Sequence, residues 1–263
     1  MSDIVSKAES FVNQLFREKL SHNFIYHNLT HTLRVLKSTN EIIENSEINA
    51  KDAEILRLTA LLHDTGYTQT FEGHEEVSAE IAKEFLAKHA VEKDTIDKIV
   101  QCILATKMEK EPSNKLEEVI CDADCSHFGK DYFDEASEFL RQELIALDIK
   151  EYTPKEWRKE NIRLLVEDHN YYTPYALKEW QPQKEANLAK LLKRKKKDKK
   201  RRKKEELKAE LKAKYKDASP ERGIQTFYRT ALRNHIKLSD IADTKANILL
   251  SVNAIIISLV LSN

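Results

Sequence analysis

From residue 3 to about residue 190 the apolar residues return every three or four positions. Ile4, Phe11, Leu15 and Phe16 form one such row, Ile55, Leu58, Leu61 and Leu62 a second, and Ile96, Ile99, Ile103 and Leu104 a third. That spacing puts each row on one face of an α-helix, and no stretch sustains the strict alternation of a half-buried strand. The pattern predicts a compact all-α domain of roughly eight or nine helices. Gly66, Gly73, Pro112, Gly129, Pro154 and Pro174 punctuate it, and Asn49, Ser113 and Thr153 are residue types that cap helix N-termini.

Past residue 185 the texture changes. Twelve of the fifteen positions 190–204 are Lys or Arg, and the ELKAELKAKYK that follows combines strong helix formers with Glu-to-Lys pairs four apart, which predicts an exposed basic helix. An amphipathic stretch over 218–240 then leads into residues 246–261, rich in Ile, Leu and Val and without a charge. Three segments follow: a helical domain over 1–189, a basic helical linker over 190–217, and a last segment over 218–263. At about sixteen to eighteen residues the apolar run sits at the lower edge of a bilayer-spanning helix, and it carries Asn247, Ser251, Asn253 and Ser258. A buried core helix or an oligomerisation helix is the competing reading, so a homo-oligomer is one expectation. The dense cations just before the run favour a transmembrane helix with the first domain on the cytoplasmic side of the inner membrane. They also favour anionic lipid head groups as a partner. An apolar helix ending so close to Asn263 points to a longer natural chain.

Composition sharpens this picture. The 263 residues suffice for one large or two modest domains. Four glycines and five prolines are too few for a turn-rich sandwich or barrel, and 41% hydrophobic residues exclude a disordered chain despite 33% charged ones. The formal net charge of zero hides two opposite halves: residues 190–263 carry 21 Lys or Arg against 8 Asp or Glu, leaving 23 against 36 for residues 1–189. Three cysteines with no CxxC pair argue against a disulfide framework and a structural zinc site, and fit a reducing compartment. No basic stretch followed by an apolar run marks a cleavable signal peptide at the N-terminus. The basic run lacks interleaved aromatics, so no specific nucleic-acid partner is expected, although any polyanion binds twelve cations in a salt-dependent way.

The sharpest chemical signal is LTALLHDTGY, residues 58–67. His63 and Asp64 end an apolar helix, and both can reach one cation off that helix end, where unpaired carbonyls make the field negative. Upstream, FIYHNLTHTLRV places His27 and His31 four apart, on the same face of a helix. Downstream, EVICDADCSHFG supplies Asp122 and Asp124 after another apolar run. Imidazole and carboxylate together suit a divalent ion such as Mn, Fe, Co or Mg. Taken singly, a His-Asp dipeptide, a His pair and a DAD triplet are commonplace; their order along the chain is what carries weight.

This arrangement resembles the HD superfamily of metal-dependent phosphohydrolases, over roughly residues 5–190. The resemblance implies an HD-domain helical bundle in which His31, His63, Asp64 and Asp124 bind a divalent metal, with Asp122 as the alternative final ligand. It implies acid/base work or a second metal for His74 and Glu75 in GHEEVSAEIA, and a catalytic part for Asp64 as well. Arg34 and Lys107 are placed to meet a phosphate, although a solvated face is the blander reading of both. The substrate class implied is a nucleotide or cyclic nucleotide. Residues 221–262 resemble the start of the membrane domain of Pycsar effectors, a bacterial anti-phage group signalling with cyclic pyrimidine nucleotides. The expectation is a metal-dependent phosphohydrolase tethered to the inner membrane, with an anti-phage defence output. The alternative is a nucleotide sensor without turnover that controls the membrane segment.

Overall fold

The protein is described by a computed structural model covering residues 3–107, 110–214 and 222–261, with the side chains of residues 225–257 in the last stretch. Among these residues every regular element is helical. Two units emerge, residues 1–195 and residues 196–263.

In the first unit, α1 (Asp3–Lys19) turns Val5, Ala8, Val12 and Phe16 inward, the three- and four-residue spacing read from the sequence. α2 (Leu29–Glu44) starts at Asn28, whose side chain accepts the backbone N–H groups of Thr30 and His31. α3 (Ala50–Leu62) begins at the expected cap, Asn49, and buries Ile55, Leu56 and every residue from Leu58 to Leu62. It is the central helix, packed by α1 and α2 together with α5 (Lys93–Ala105) and α6 (Lys115–Asp124). α4 (His74–Lys88) lies against α5 and against the tight turn Thr65–Thr68 that follows α3. α7 (Phe133–Ala146), α8 (Pro154–Arg163) and α9 (Pro174–Glu179) complete the expected helices. α8 closes the capping box between Thr153 and Glu156, with Pro154 at its first position.

One expected cap moves by a residue. Asn114 caps α6, accepting from Leu116 and Glu117, while Ser113 donates from both its backbone N–H and its hydroxyl to the Glu117 carboxylate. His27 is likewise not on a helix, because α2 starts only after the Asn28 cap. The face it was expected to share with His31 therefore does not exist.

α10 (Gln181–Lys214) is unbroken through position 189, and its basic positions 193–204 are exposed apart from the half-buried Asp198. The expected boundary at 217/218 lies outside the described residues. In the second unit, α11 (Arg222–Leu261) buries none of its described side chains. Asp240 and Asp243 sit in its interior, and Asp243 pairs with Lys200 of α10 at 2.7 Å. Among the described residues no helix is long and apolar enough to cross a membrane. The expected transmembrane helix finds no support among them. Asn247, Ser251 and Asn253 interrupt its apolar run. The side chains of residues 258–261 lie outside the described residues.

Candidate metal centre

Three helix ends converge on one point. His31 sits in the first turn of α2, His63 caps the C-terminus of α3 with Asp64 next to it, and Asp124 is the last residue of α6. His63 donates its Nδ1–H to the carbonyl of Ala60, 3.0 Å away, which leaves Nε2 as a bare acceptor. His31 Nε2 lies 3.0 Å from Asp124 Oδ1 and 3.3 Å from Asp64 Oδ2. His63 Nε2 lies 3.3 Å from the same Asp64 oxygen and 3.5 Å from the same Asp124 oxygen. Yet His31 Nε2, His63 Nε2 and Asp64 Oδ2 are buried with no hydrogen-bond partner. Buried polar atoms left so cost free energy unless something fills the space between them. One ligand atom each from His31, His63 and Asp124 falls within a 4.8 Å span, the dimension of a coordination sphere. The residues fit a divalent metal ion.

Electrostatics agree with the geometry. Burial works against protonating His31, but its pairing with Asp124 and Asp64 outweighs this and carries its pKa up to about 9. The two carboxyls go the other way: burial opposes it, yet the neighbouring His63 and His31 hold Asp64 and Asp124 well below the usual carboxylate range.

The family comparison matches residues 28–129 to the family model described as HD domain. Residues 28–129 are an HD domain. HD domains are typically metal-dependent hydrolases that bind divalent metals, and the His31, His63 and Asp124 cluster falls inside the matched segment. No curated protein and no solved structure matches the chain. The match does not extend to residues 190–263, and the resemblance of residues 221–262 to Pycsar effectors finds no support in it.

Within the HD domain, Asp122 and Asp124 face opposite ways. Asp122 is buried and accepts the backbone N–H groups of Tyr172 at 2.9 Å and Thr173 at 2.7 Å, tying α6 to the start of α9. Burial pushes its pKa up to about 6 in spite of those donors. Asp124 alone of the two reaches the cluster.

His74 and Glu75 open α4 beside the centre. Gly66 makes this possible: a Cβ there would lie 1.9 Å from the carbonyl oxygen of His74, so only glycine lets α4 start so close to Asp64. The His74 ring stacks on Tyr67 with centroids 3.8 Å apart, and its Nε2 is 3.8 Å from Asp64 Oδ1. Burial lowers its pKa, against the pull of Asp64 and Glu75. Glu75 Oε2 approaches His74 Nδ1 at 3.5 Å. Lys107 instead forms an exposed ion pair with Glu76, and it does not line the cavity that opens beside His31 and Asp124. Arg34 does line it.

Three participants carried no signal in the sequence. His127 lines the same cavity; its Nδ1 is 3.1 Å from the Tyr26 hydroxyl, and burial holds its pKa down at about 3. Tyr132 supplies a ring under Arg34. Glu143, fully buried on α7, accepts the backbone N–H groups of Tyr26 and His27 and pairs with the His27 ring. It thereby fixes the chain just before the Asn28 cap. Isolated residues at irregular intervals leave no periodicity to detect; only the His-first spacing of the motif was readable.

Proposed function

We propose that the protein is a metal-dependent phosphohydrolase acting on a nucleotide or cyclic nucleotide. The observation that carries this reading is the convergence of three unpartnered buried atoms, on His31, His63 and Asp64, with Asp124 at the edge of a cavity that holds Arg34. His31, His63, Asp64 and Asp124 would hold the ion. When bound, such an ion supplies Lewis-acid polarisation of a phosphoryl group and lowers the pKa of water.

The remaining work falls to the chain. Asp64 offers Oδ2 to the centre and keeps Oδ1 towards His74, so it can orient a water molecule between them. The His74 ring can accept or return a proton at Nε2, because its Nδ1 faces the Phe71 carbonyl at 3.2 Å. Glu75, half-buried beside it, is placed to deliver a proton to the leaving oxygen. Arg34 meets the phosphate oxygens from the cavity wall.

The test uses the full chain stripped of metal, reloaded with Mn and screened against nucleotides and cyclic nucleotides, with Asp64→Ala alongside. Metal-dependent release of phosphate from the linear esters, or of a nucleoside monophosphate from the cyclic ones, that the variant loses by more than about 100-fold is expected. Nucleotide binding with no turnover under any divalent metal would replace the enzyme by a sensor.

For the second unit and the basic run, the reading is contact between residues 190–204 and anionic lipid head groups on the cytoplasmic side of the inner membrane. The density of exposed cations supports it, and the Pycsar resemblance of residues 221–262 would add a defence output. Binding to phosphatidylserine vesicles that salt abolishes, with none to phosphatidylcholine vesicles, is the expected result.

A further inference from the structure

Away from the metal centre, α1 and α4 flank an open groove of about 740 Å³, within the range of small-ligand sites. None of its lining residues is a candidate ligand or lines the cavity beside His31. Its floor is the pair Phe11 and Phe85, with rings stacked and centroids 4.6 Å apart. Leu15 and Ile81, both half-buried, continue the apolar surface. On α1 the lining runs from Ser6 to Lys19 along one face, at four-residue steps. At the helical rise that makes the groove about 20 Å long.

The sign of its charge sets the groove apart from its surroundings. Residues 1–189 carry 23 Lys or Arg against 36 Asp or Glu. The groove reverses this, with Lys7, Lys19 and Lys88 against Glu84. Lys7 pairs with Asp3 along α1, whereas Lys19 and Lys88 meet no carboxylate among the described residues. Such a surface repels a second copy of itself and selects an anionic partner. Size then separates the partners. A helix as long as the groove displaces roughly 1,600 to 2,300 Å³ and would stand mostly outside it. A single acyl chain is contained along its whole length.

We propose that this groove binds a long-chain carboxylate, a free fatty acid anion. The chain lies along the Phe11 and Phe85 floor, and the head meets the lysines of the rim. Burial of methylenes supplies the affinity, and the lysines select the sign of the ligand. The site stands independently of the phosphohydrolase reading.

The test is calorimetric titration of the full chain with octanoate, decanoate and laurate, each below its micelle concentration. Decanol and decyltrimethylammonium serve as the neutral and cationic counterparts of decanoate. Affinity is expected to rise about twofold or more with each added methylene. Decanoate should bind about threefold or more tighter than decanol, and decyltrimethylammonium more weakly still. Lys19→Ala combined with Lys88→Ala should weaken laurate binding about 3- to 10-fold without moving the melting temperature. Ser10→Trp, which sets an indole at the exposed lip, should block it. If that variant lowers the melting temperature, the lysine pair alone decides. Equal affinity for decanol and decanoate, or no binding of any chain, would overturn the proposal. So would laurate binding that the lysine pair leaves unchanged, as expected of the exposed apolar face of α11.

Discussion

α3 and the end of α11 are built from the same kind of residue and meet opposite fates. In α3, Ile55, Leu56, Leu58, Leu61 and Leu62 are all fully buried. In α11, Ile248, Leu249, Leu250, Val252 and Ile255–Ile257 are each about half exposed or more within their unit. Apolar composition alone therefore says that a helix has surface to bury, not what buries it. α3 is packed on several sides, and its C-terminus meets the ends of α2 and α6 at the candidate metal centre, whereas α11 presents a contiguous apolar patch of the kind that marks an interaction surface. The difference also divides the chemistry. All four candidate ligands stand on helices that pack on α3 or just past its own end, and none of them lies among the described residues of the second unit.

The comparison can be broken at several points. The largest expected effect is in the core: Leu61→Ala should cost about 2–5 kcal/mol in denaturant unfolding of the full chain. A smaller loss would mean that α3 relaxes around the gap and is not the rigid centre described. Next comes Gly66→Ala, expected to cost about 1–3 kcal/mol, because a Cβ must push the His74 carbonyl and the start of α4 away. Far-ultraviolet circular dichroism should stay helical while thermal unfolding shifts down; an unshifted transition would show that α4 is not held where Gly66 admits it.

A pH measurement sharpens the same contrast. Burial lowers the His169 pKa to about 3, so the folded state refuses a proton that the unfolded chain binds below its ordinary value of about 6.5. Its contribution to stability is whole above that pH and is lost as pH falls towards about 3. His169→Gln should flatten the stability–pH curve in this window by at most about 1.4 kcal/mol per pH unit. Asp122, raised to about 6, acts in the opposite direction but equally in both proteins, so the difference between the curves isolates His169. Superimposable curves would place His169 in water. The smallest effect belongs to α11: Ile256→Ala should change stability by no more than about 0.5 kcal/mol. A loss as large as that of Leu61→Ala would show that another surface covers α11 in solution.

The helical class, the run of helices before residue 180 and the four candidate ligands were legible in the chain itself. A 3.6-residue period repeats within each helix, and the order of a His, a His-Asp pair and a later Asp, with the family resemblance it carries, singled out His31, His63, Asp64 and Asp124. Three things were not legible. Asp122 and Asp124 are indistinguishable as residue types, and only the fold turns one towards Thr173 and the other towards His31. Lys107 follows a helix as a phosphate contact might, but the packing of α4 against α5 hands it to Glu76. The cavity is assembled from Ile25, Arg34, His127, Tyr132 and Phe139, which share no spacing. Local periodicity determines which face of each helix is apolar because side chains three and four apart lie on one side of it. The direction in which a given carboxylate points, and which distant rings enclose it, depends on how the helices pack, and that only the tertiary structure decided.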